Sequence, residues 1–145
     1  MAEVRVATLQ DLEDIAGMDA LVMGDRSREE KLRKAIQENR CLLAQREGRA
    51  AGFLVYHQHF FEQAFMDLVI VHPAMRRQGV ARALMEYMER CCLTEKLFSS
   101  TNQSNEEMQQ VFRSLQYVES GYVDHLDEGD PELVFFKTAG RREYA

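Results

Sequence analysis

The sequence predicts an α/β fold in which one mixed β-sheet carries helices on both faces. Segments with the periodicity of strands and of helices follow one another in the order β, α, α, β, β, β, α, β, α, β, β. Three successive strands in the middle of the chain are joined by short turns, which favours antiparallel pairing there. Elements in this order bury their apolar faces most simply as a sheet packed between helices.

In the N-terminal half, the predicted elements are a strand over residues 4–7, helices opening at Thr8 and Ser27, and strands over residues 41–47, 51–60 and 64–72. Both helices begin with a side chain that can cap free amides, and apolar residues recur along one side of each. Residues 27–30, Ser-Arg-Glu-Glu, match a capping box. Gly48 and Arg49 form a turn, and Pro73 ends the last strand because proline cannot donate a ladder hydrogen bond.

In the C-terminal half, the predicted elements are a helix over residues 79–93, a strand over 97–101, a helix from a capping box at 104–107 to Leu115, and strands over 117–126 and 132–137. The first of these helices has an apolar face, which consists of Val80, Leu84, Tyr87, Met88 and Cys91. The second has Met108, Val111, Phe112 and Leu115 facing inward. Each helix therefore has one side to pack against a sheet.

Length, composition and charge limit the possible functions. The 145 residues fit one domain over residues 1–145, and a hydrophobic fraction of 46% is enough for a core. Neither a membrane-spanning run nor a signal-peptide pattern is found, so we expect a cytoplasmic location and no membrane partner. A net charge of −6 argues against a nucleic-acid partner. Cys41, Cys91 and Cys92 lack metal-ligand spacing and are interpreted as small buried hydrophobes, so no metal is expected.

One predicted helix start differs from the other three in its charge. The first turns of three helices carry acidic residues, namely Asp11, Glu29 with Glu30, and Glu106 with Glu107. The helix after Pro73 is instead preceded by Arg76 and Arg77, which oppose the positive end of the helix dipole. Gly79 lets backbone amides approach a ligand, and Ala81 keeps the first turn open. These features predict a site for a di- or triphosphate group, against the alternative of solvated arginines.

Two motifs in this order resemble those of a known family. Residues 68–85 run from a strand through Val-His-Pro to Arg-Arg-Gln-Gly-Val-Ala and into a helix. This resembles the acetyl-CoA motif of the GNAT family of N-acetyltransferases, and Asn105, Phe112, Gln116 and Tyr117 match a second motif of that family. The resemblance covers nearly the whole chain. It implies a sheet that is splayed at its centre, and direct transfer of acetyl from acetyl-CoA to an amine of a small molecule or peptide.

The resemblance also implies which residues bind the cofactor. In the strand, Val69, Ile70 and Val71 match residues that pair with the pantetheine arm. The pyrophosphate cradle corresponds to Arg76, Arg77, Gln78, Gly79, Val80, Ala81 and Arg82. Asn105 and Phe112 match residues that lie near the cofactor on the fourth helix.

The chain departs from the family pattern where the chemistry needs an acid. Phe112 stands where the family usually has the tyrosine that protonates the leaving thiolate, and phenylalanine has no proton to give. The strand over residues 98–101 lacks the glutamate that some relatives use as a base, and Gln116 replaces a glycine. The sequence therefore supports cofactor binding better than it supports any particular acid or base, and loss of the acid need not abolish turnover, because a thiolate is a tolerable leaving group. The alternative is a non-catalytic acyl-CoA-binding sensor or regulatory module.

Asp67 is the candidate base, because strand alternation places it on the same face as Val69 and Val71. The alternative is an exposed carboxylate at the end of a strand. His57 and His59 share one face of the neighbouring strand, but two ligands without a third do not make a metal site.

We expect the acceptor to enter between the first two helices and the loop over residues 60–62, and a homodimer is possible through the C-terminal strands.

Overall fold

The computed structural model describes residues 2–139 and confirms the predicted order of elements. The strands are β1 (Glu3–Val6), β2 (Cys41–Arg46), β3 (Arg49–Phe60), β4 (Gln63–Val71), β5 (Lys96–Asn102), β6 (Val118–Val123) and β7 (Glu132–Thr138). The helices are α1 (Leu12–Met23), α2 (Glu29–Gln37), α3 (Val80–Cys91) and α4 (Glu106–Ser114). Short 3-10 turns cover Leu9–Asp11 and Pro73–Met75. None of the helices within residues 2–139 has the length and apolar character needed to cross a bilayer.

The sheet has seven strands in the order β1-β2-β3-β4-β5-β7-β6 and is mixed, as predicted. The pairs β1–β2, β2–β3, β5–β7 and β6–β7 are antiparallel, whereas β4 and β5 run parallel. The β4–β5 ladder joins Ala64, Phe65 and Met66 to Leu97, Phe98 and Ser99. Pairing is therefore concentrated at the beginning of these two strands, as a sheet splayed at its centre requires.

The chain falls into two compact units, and strands β3 and β4 contribute to both. The first unit consists of Met1–Tyr56 and Leu68–Met88. Its main core lies between helices α1 and α2 and strands β2 and β3, with Ile15, Leu32 and Phe53 fully buried. The apolar side of the amphipathic helix α2 contributes Leu32 to this core. The first four residues of β2 form a continuous apolar run and are all buried.

The second unit consists of His57–Asp67 and Glu89–Ala145. Its core forms where α4 packs on β7, with the Phe112 ring stacked on Phe135 at 4.6 Å between centroids. Beside it, the Tyr117 hydroxyl donates to Glu89 at 2.8 Å, and Lys137 pairs with the same carboxylate at 3.1 Å. Burial and the neighbouring Glu89 carboxylate raise the pKa of Tyr117. This phenol therefore stays protonated and structural.

Two of the predicted capping residues are wrong. Helix α2 is preceded by Arg28 instead of Ser27, because Ser27 lies inside a turn in which the Glu29 amide donates to the Arg26 carbonyl at 3.0 Å. The Arg28 guanidinium donates to the buried Asp19 carboxylate, with Nε at 3.0 Å. Helix α4 is capped by Asn105, whose Oδ1 accepts from the Met108 amide at 3.0 Å. The Ser104 hydroxyl, which the capping box assigned to that role, donates to Asp130 at 2.6 Å instead.

The cysteine prediction holds for two of the three residues. Cys41 and Cys92 are buried, whereas Cys91 is exposed at the end of α3. The apolar face of α3 is therefore rotated slightly from the predicted one. It buries Met85 in addition to Leu84 and Met88. Burial raises the pKa of the Cys41 thiol to about 12, so this side chain remains an uncharged part of the core.

Candidate functional site

The start of α3 has the charge arrangement that the sequence predicts. Acidic residues occupy the first turn of α1, α2 and α4, and among the four α-helices of residues 2–139 only α3 has none there. The Gly79 carbonyl accepts the first helical hydrogen bond, from the Ala83 amide at 3.0 Å. The amides that follow Gly79 therefore form the open, positive end of the helix.

The loop before α3 is shaped by two residues in the left-handed region. Arg77 has a φ of 62° and Gly79 a φ of 80°. A Cβ atom added at Gly79 would meet nothing within 4 Å, so the space in front of this residue is open. Successive amides in such a turn converge on a concave surface that suits an anion. A glycine there also lets an anion approach the backbone closely.

Several guanidinium groups surround this loop. Arg76 and Arg77 are both exposed. Arg46, at the end of β2, reaches the loop and donates to the Gln78 carbonyl at 3.4 Å. Arg82 pairs with Glu86 along α3 at 3.2 Å. Sequence reasoning missed Arg46, because only the pairing of β2 with β3 brings it to the loop.

Gly52 fixes how closely α3 approaches the sheet, and sequence reasoning missed it too. A Cβ atom at this position would lie 2.8 Å from the Ile70 carbonyl oxygen and 2.8 Å from Cγ1 of Val80. Such contacts are too short for any other residue. The first turn of α3 can therefore pack directly over the paired backbones of β3 and β4. The only signal in the sequence is a glycine inside a strand, which often marks a close backbone approach.

The backbone of β4 presents alternate residues to opposite edges of the strand. The His72 amide donates to the Ala51 carbonyl at 2.8 Å, and the Ile70 carbonyl also lies against β3, beside Gly52. By alternation, the peptide groups of Val69 and Val71 point away from β3. Ile70 instead faces β3 and packs its side chain against the α1–α2 core. Of the three predicted strand residues, Val69 and Val71 thus have peptide groups that point away from β3, whereas the peptide groups of Ile70 point towards it.

Comparison with known proteins identifies the family. The model of the acetyltransferase (GNAT) family matches residues 9–117. The chain belongs to the GNAT family. Its structure is similar to that of a GNAT family acetyltransferase from Bacillus cereus, with 42% identity, a TM-score of 0.95, and coverage of 97% of this chain and 99% of the other. None of the curated proteins matches the sequence.

Structures of two other proteins with lower identity share the fold. The yncA protein from Salmonella typhimurium, solved with its cofactor acetyl-CoA, has 13% identity and a TM-score of 0.79, over 96% of this chain and 94% of the other. The ribosomal-protein-S18-alanine N-acetyltransferase from Escherichia coli has 18% identity and a TM-score of 0.76, with the same coverage. GNAT acetyltransferases use acetyl-CoA, so this chain is an acetyltransferase of that type.

Two residues that match the second GNAT motif are Asn105, which caps α4, and Phe112, which lies within it. The Asn105 carboxamide oxygen is used to cap the helix, and its Nδ2 remains as a donor. Phe112 is fully buried and packs between Phe135, at 4.6 Å, and Tyr117, at 5.7 Å. A cofactor contact through the Phe112 side chain is therefore not supported. It was predicted because the family motif fixes the position of this residue but not the packing of its side chain.

The polar residues considered as bases lie on β3 and β4. Asp67 is half-buried and follows directly after the β4–β5 ladder. The His57 ring accepts from the His59 amide through Nδ1 at 3.0 Å and stacks on Phe65 at 5.5 Å, so it belongs to an aromatic stack. Within residues 2–139, no three His, Cys, Asp or Glu side chains are arranged to hold a metal ion. Asp67 thus remains the candidate base.

Proposed function

We propose that this chain transfers the acetyl group of acetyl-CoA to an amine of a small molecule or peptide. The observation that carries the proposal is the start of α3. There, left-handed Gly79 opens a helical turn without an acidic residue, and exposed arginines precede it. A pyrophosphate would supply the negative charge that α1, α2 and α4 obtain from their own side chains.

The pyrophosphate is assigned to the backbone amides of residues 77–82. An anion at a helix start gains about 0.3–1 kcal/mol from the dipole alone, and arginine adds stronger charge-assisted hydrogen bonds. Arg76 and Arg77 belong to this loop and Arg46 reaches it, so their side chains can contribute. The open space before Gly79 supports this assignment, because a Cβ atom at this position would meet nothing within 4 Å.

The pantetheine arm is assigned to the edge of β4. Peptide groups of Val69 and Val71 that point away from β3 can bond to amides of the arm, as an added strand would. An N–H at this edge can also hydrogen-bond the thioester oxygen and stabilise the charge that develops there. Ile70 stays out of the proposed contact set because its backbone and side chain face the protein.

Bound acetyl-CoA supplies an activated thioester. The neutral amine nitrogen forms a bond to the acetyl carbon, the carbon–sulfur bond breaks, and sulfur leaves as a thiolate. The nitrogen releases one proton to water as the amide forms, and the thiolate takes up one proton from water. An amine is mostly protonated near neutral pH, so it must first lose a proton. Asp67 is proposed as the base that accepts this proton, because it lies two residues before Val69 on the same strand.

Buried Phe112 offers no acid, and general acid catalysis is typically worth ~10²–10⁴-fold, so we expect slow turnover.

Calorimetry with acetyl-CoA tests the proposal through a matched pair of glycine variants. Gly79 and Gly24 both have left-handed backbones, and a Cβ atom meets nothing within 4 Å at either. Alanine at either position should therefore cost a similar ~1–2 kcal/mol in unfolding free energy. Only Gly79→Ala should weaken acetyl-CoA binding, by roughly tenfold or more, because its methyl group enters the space proposed for the pyrophosphate.

Equal affinity for acetyl-CoA in the two variants would contradict the assignment of the pyrophosphate to residues 77–82. Thiol release in the presence of a broad amine panel completes the test. Tight binding without release would indicate a sensor in place of an enzyme.

A further inference from the structure

Arginines without a carboxylate partner are concentrated at one place in the first unit. The chain is acidic, with 24 acidic against 18 basic residues, so carboxylates are abundant. Many arginines pair with them, and these include Arg5, Arg26, Arg28, Arg33, Arg40, Arg82 and Arg113. Arg46, Arg49 and Arg76, in contrast, form no ion pair with any carboxylate of residues 2–139. The positive charge at the end of the β2–β3 hairpin and in the loop before α3 is therefore not neutralised by that part of the chain.

Arg46 and Arg49 lie directly opposite each other at the end of the β2–β3 hairpin. Between them, Glu47 and Gly48 form a two-residue turn with φ values of 51° and 76°. The side chains of a directly opposite pair project from the same face of a sheet, with Cβ atoms about 4.5–5.5 Å apart. Like charges in such a pair destabilise the hairpin, and a bound anion would remove that cost.

This arginine pair lies on the face of the sheet that α3 covers. Gly52 lies against the first turn of α3, and Ala44 is its cross-strand partner, so both belong to that face. Arg46 follows Ala44 by two residues and therefore points to the same side. The register shift between Ala44 and Gln45 adds a residue to β3 and leaves the alternation along β2 unchanged. In agreement, the Arg46 guanidinium donates to the Gln78 carbonyl, in the loop before α3, at 3.4 Å.

The pair differs from the pyrophosphate site in the donors that it offers. The backbone amides of residues 77–82 are assigned to the pyrophosphate, whereas Arg46 and Arg49 come from another hairpin and offer guanidinium groups. Two guanidinium groups suit a phosphomonoester, which carries about −1.5 to −2 charges near pH 7 and several acceptor oxygens. Coenzyme A carries such a group at the 3′ position of the ribose that also bears the pyrophosphate. A site for it must therefore adjoin the pyrophosphate site, and the contact of Arg46 with Gln78 meets that condition.

We propose that Arg46 and Arg49 form a subsite for the 3′-phosphate of acetyl-CoA and thereby determine cofactor specificity. Arg49 serves this group alone, whereas Arg46 also holds the Gln78 carbonyl of the loop. The protein then selects acetyl-CoA over the same thioester without a 3′-phosphate. This inference rests on the proposed function and deepens it, because it states which part of the cofactor is recognised by side chains.

The first test compares two cofactors by calorimetry. Acetyl-CoA and acetyl-dephospho-CoA share the pyrophosphate, the pantetheine arm and the thioester, and they differ only in the 3′-phosphate. The original protein should bind acetyl-CoA about tenfold or more tightly, because its 3′-phosphate adds charge-assisted hydrogen bonds to guanidinium groups. Equal affinities for the two cofactors would overturn the inference.

The second test repeats this comparison with variants of Arg49. Arg49→Gln should weaken acetyl-CoA binding by roughly five- to tenfold and leave acetyl-dephospho-CoA binding nearly unchanged. Arg49→Lys keeps the charge without the planar fork, so it should retain part of the preference for acetyl-CoA. An equal loss of affinity for both cofactors in Arg49→Gln would contradict the subsite.

Arg33→Gln is the matched control for a change in net charge. It removes the same charge from the same unit, but from α2, whose Leu32 packs in one core with Phe53 of β3. Phe53 adjoins Gly52 on its strand and points to the opposite face, so α2 lies on the other side of the sheet from α3. Both affinities should therefore stay nearly unchanged. A loss in Arg33→Gln as large as that in Arg49→Gln would show a general charge effect and overturn the assignment.

Thermal unfolding without ligand separates binding from a structural role of Arg49. Arg49→Gln removes one of two opposed like charges, so it should unfold at the same temperature as the original protein or at a higher one. A lower unfolding temperature together with weaker acetyl-CoA binding would show that Arg49 supports the fold, and would contradict the subsite.

Gly79→Ala separates this inference from the proposed function. Its methyl group enters the space assigned to the pyrophosphate, which both cofactors carry, so it should weaken the binding of both by the same factor. Failure of the original protein to bind either cofactor would remove the proposed function, and the subsite with it. Binding of both cofactors with equal affinity would remove the subsite alone.

Discussion

The first turns of α3 and α4 differ in what is available to pair with their free amides. Both helices follow a strand of the sheet, and both leave amides unpaired in their first turn. At α4, Asn105 accepts from the Met108 amide, and Glu106 and Glu107 neutralise the dipole. At α3, Gly79 has no side chain to offer and the first turn has no acid. The comparison teaches that a helix start supplied with its own negative charge stabilises the fold, whereas one left without it is suited to a ligand.

The largest expected effect comes from giving α3 the charge that α4 already has. Ala81→Glu should raise the unfolding free energy by about 0.3–1 kcal/mol, because the carboxylate complements the helix dipole. It should also weaken acetyl-CoA binding by roughly tenfold or more, because the same carboxylate repels the pyrophosphate. Denaturant unfolding and calorimetry measure the two effects.

The matched control is Glu107→Ala at the start of α4. Stability should fall by about 0.3–1 kcal/mol, with unchanged acetyl-CoA affinity. If both variants altered affinity equally, the difference between the two helix starts would have no functional meaning.

A smaller effect on cofactor chemistry is expected inside α4, where the family tyrosine is missing. Phe112→Tyr restores the hydroxyl, but the ring is fully buried against Phe135 and Tyr117. A hydroxyl that finds no partner there should cost about 1–3 kcal/mol in unfolding free energy. We expect no gain in the rate of thiol release. A faster variant of normal stability would show that this position does reach the reacting groups.

The smallest effect concerns the cap of α4. Asn105→Ala removes the acceptor of the Met108 amide and should lower the unfolding free energy by about 1 kcal/mol. Asn105→Asp keeps an acceptor oxygen and should therefore retain most of the original unfolding free energy. Ser104→Ala is the control, since the exposed Ser104 hydroxyl bonds to Asp130 and does not cap the helix. A larger loss for Ser104→Ala in thermal unfolding would restore the capping box that the sequence predicted.

Features that depend on neighbouring residues could be predicted from the sequence. The order of elements follows from periodicity, and the unusual start of α3 follows from the charges at Arg76 and Arg77 and the glycine at position 79. Family membership was indicated by the same stretch, because the motif is local.

Features that depend on packing between distant segments could not be predicted. Gly52 matters only because β3, β4 and α3 meet there, and Arg46 only because the end of β2 reaches the loop before α3. The contact between Arg28 and Asp19 could not be predicted either, since it joins residues at the ends of two helices. Likewise, the motif that named Phe112 could not reveal that the side chain turns into the core.

The position of β7 between β5 and β6 has a consequence for synthesis of the protein. A ribosome makes β6 first, yet all five residue pairs of its ladder are with β7, which ends at Thr138. Until translation has passed that residue, both β5 and β6 present unpaired strand edges to the surroundings. Such edges are prone to join those of other chains, so the second unit is most exposed to aggregation in the last moments before its final strand emerges.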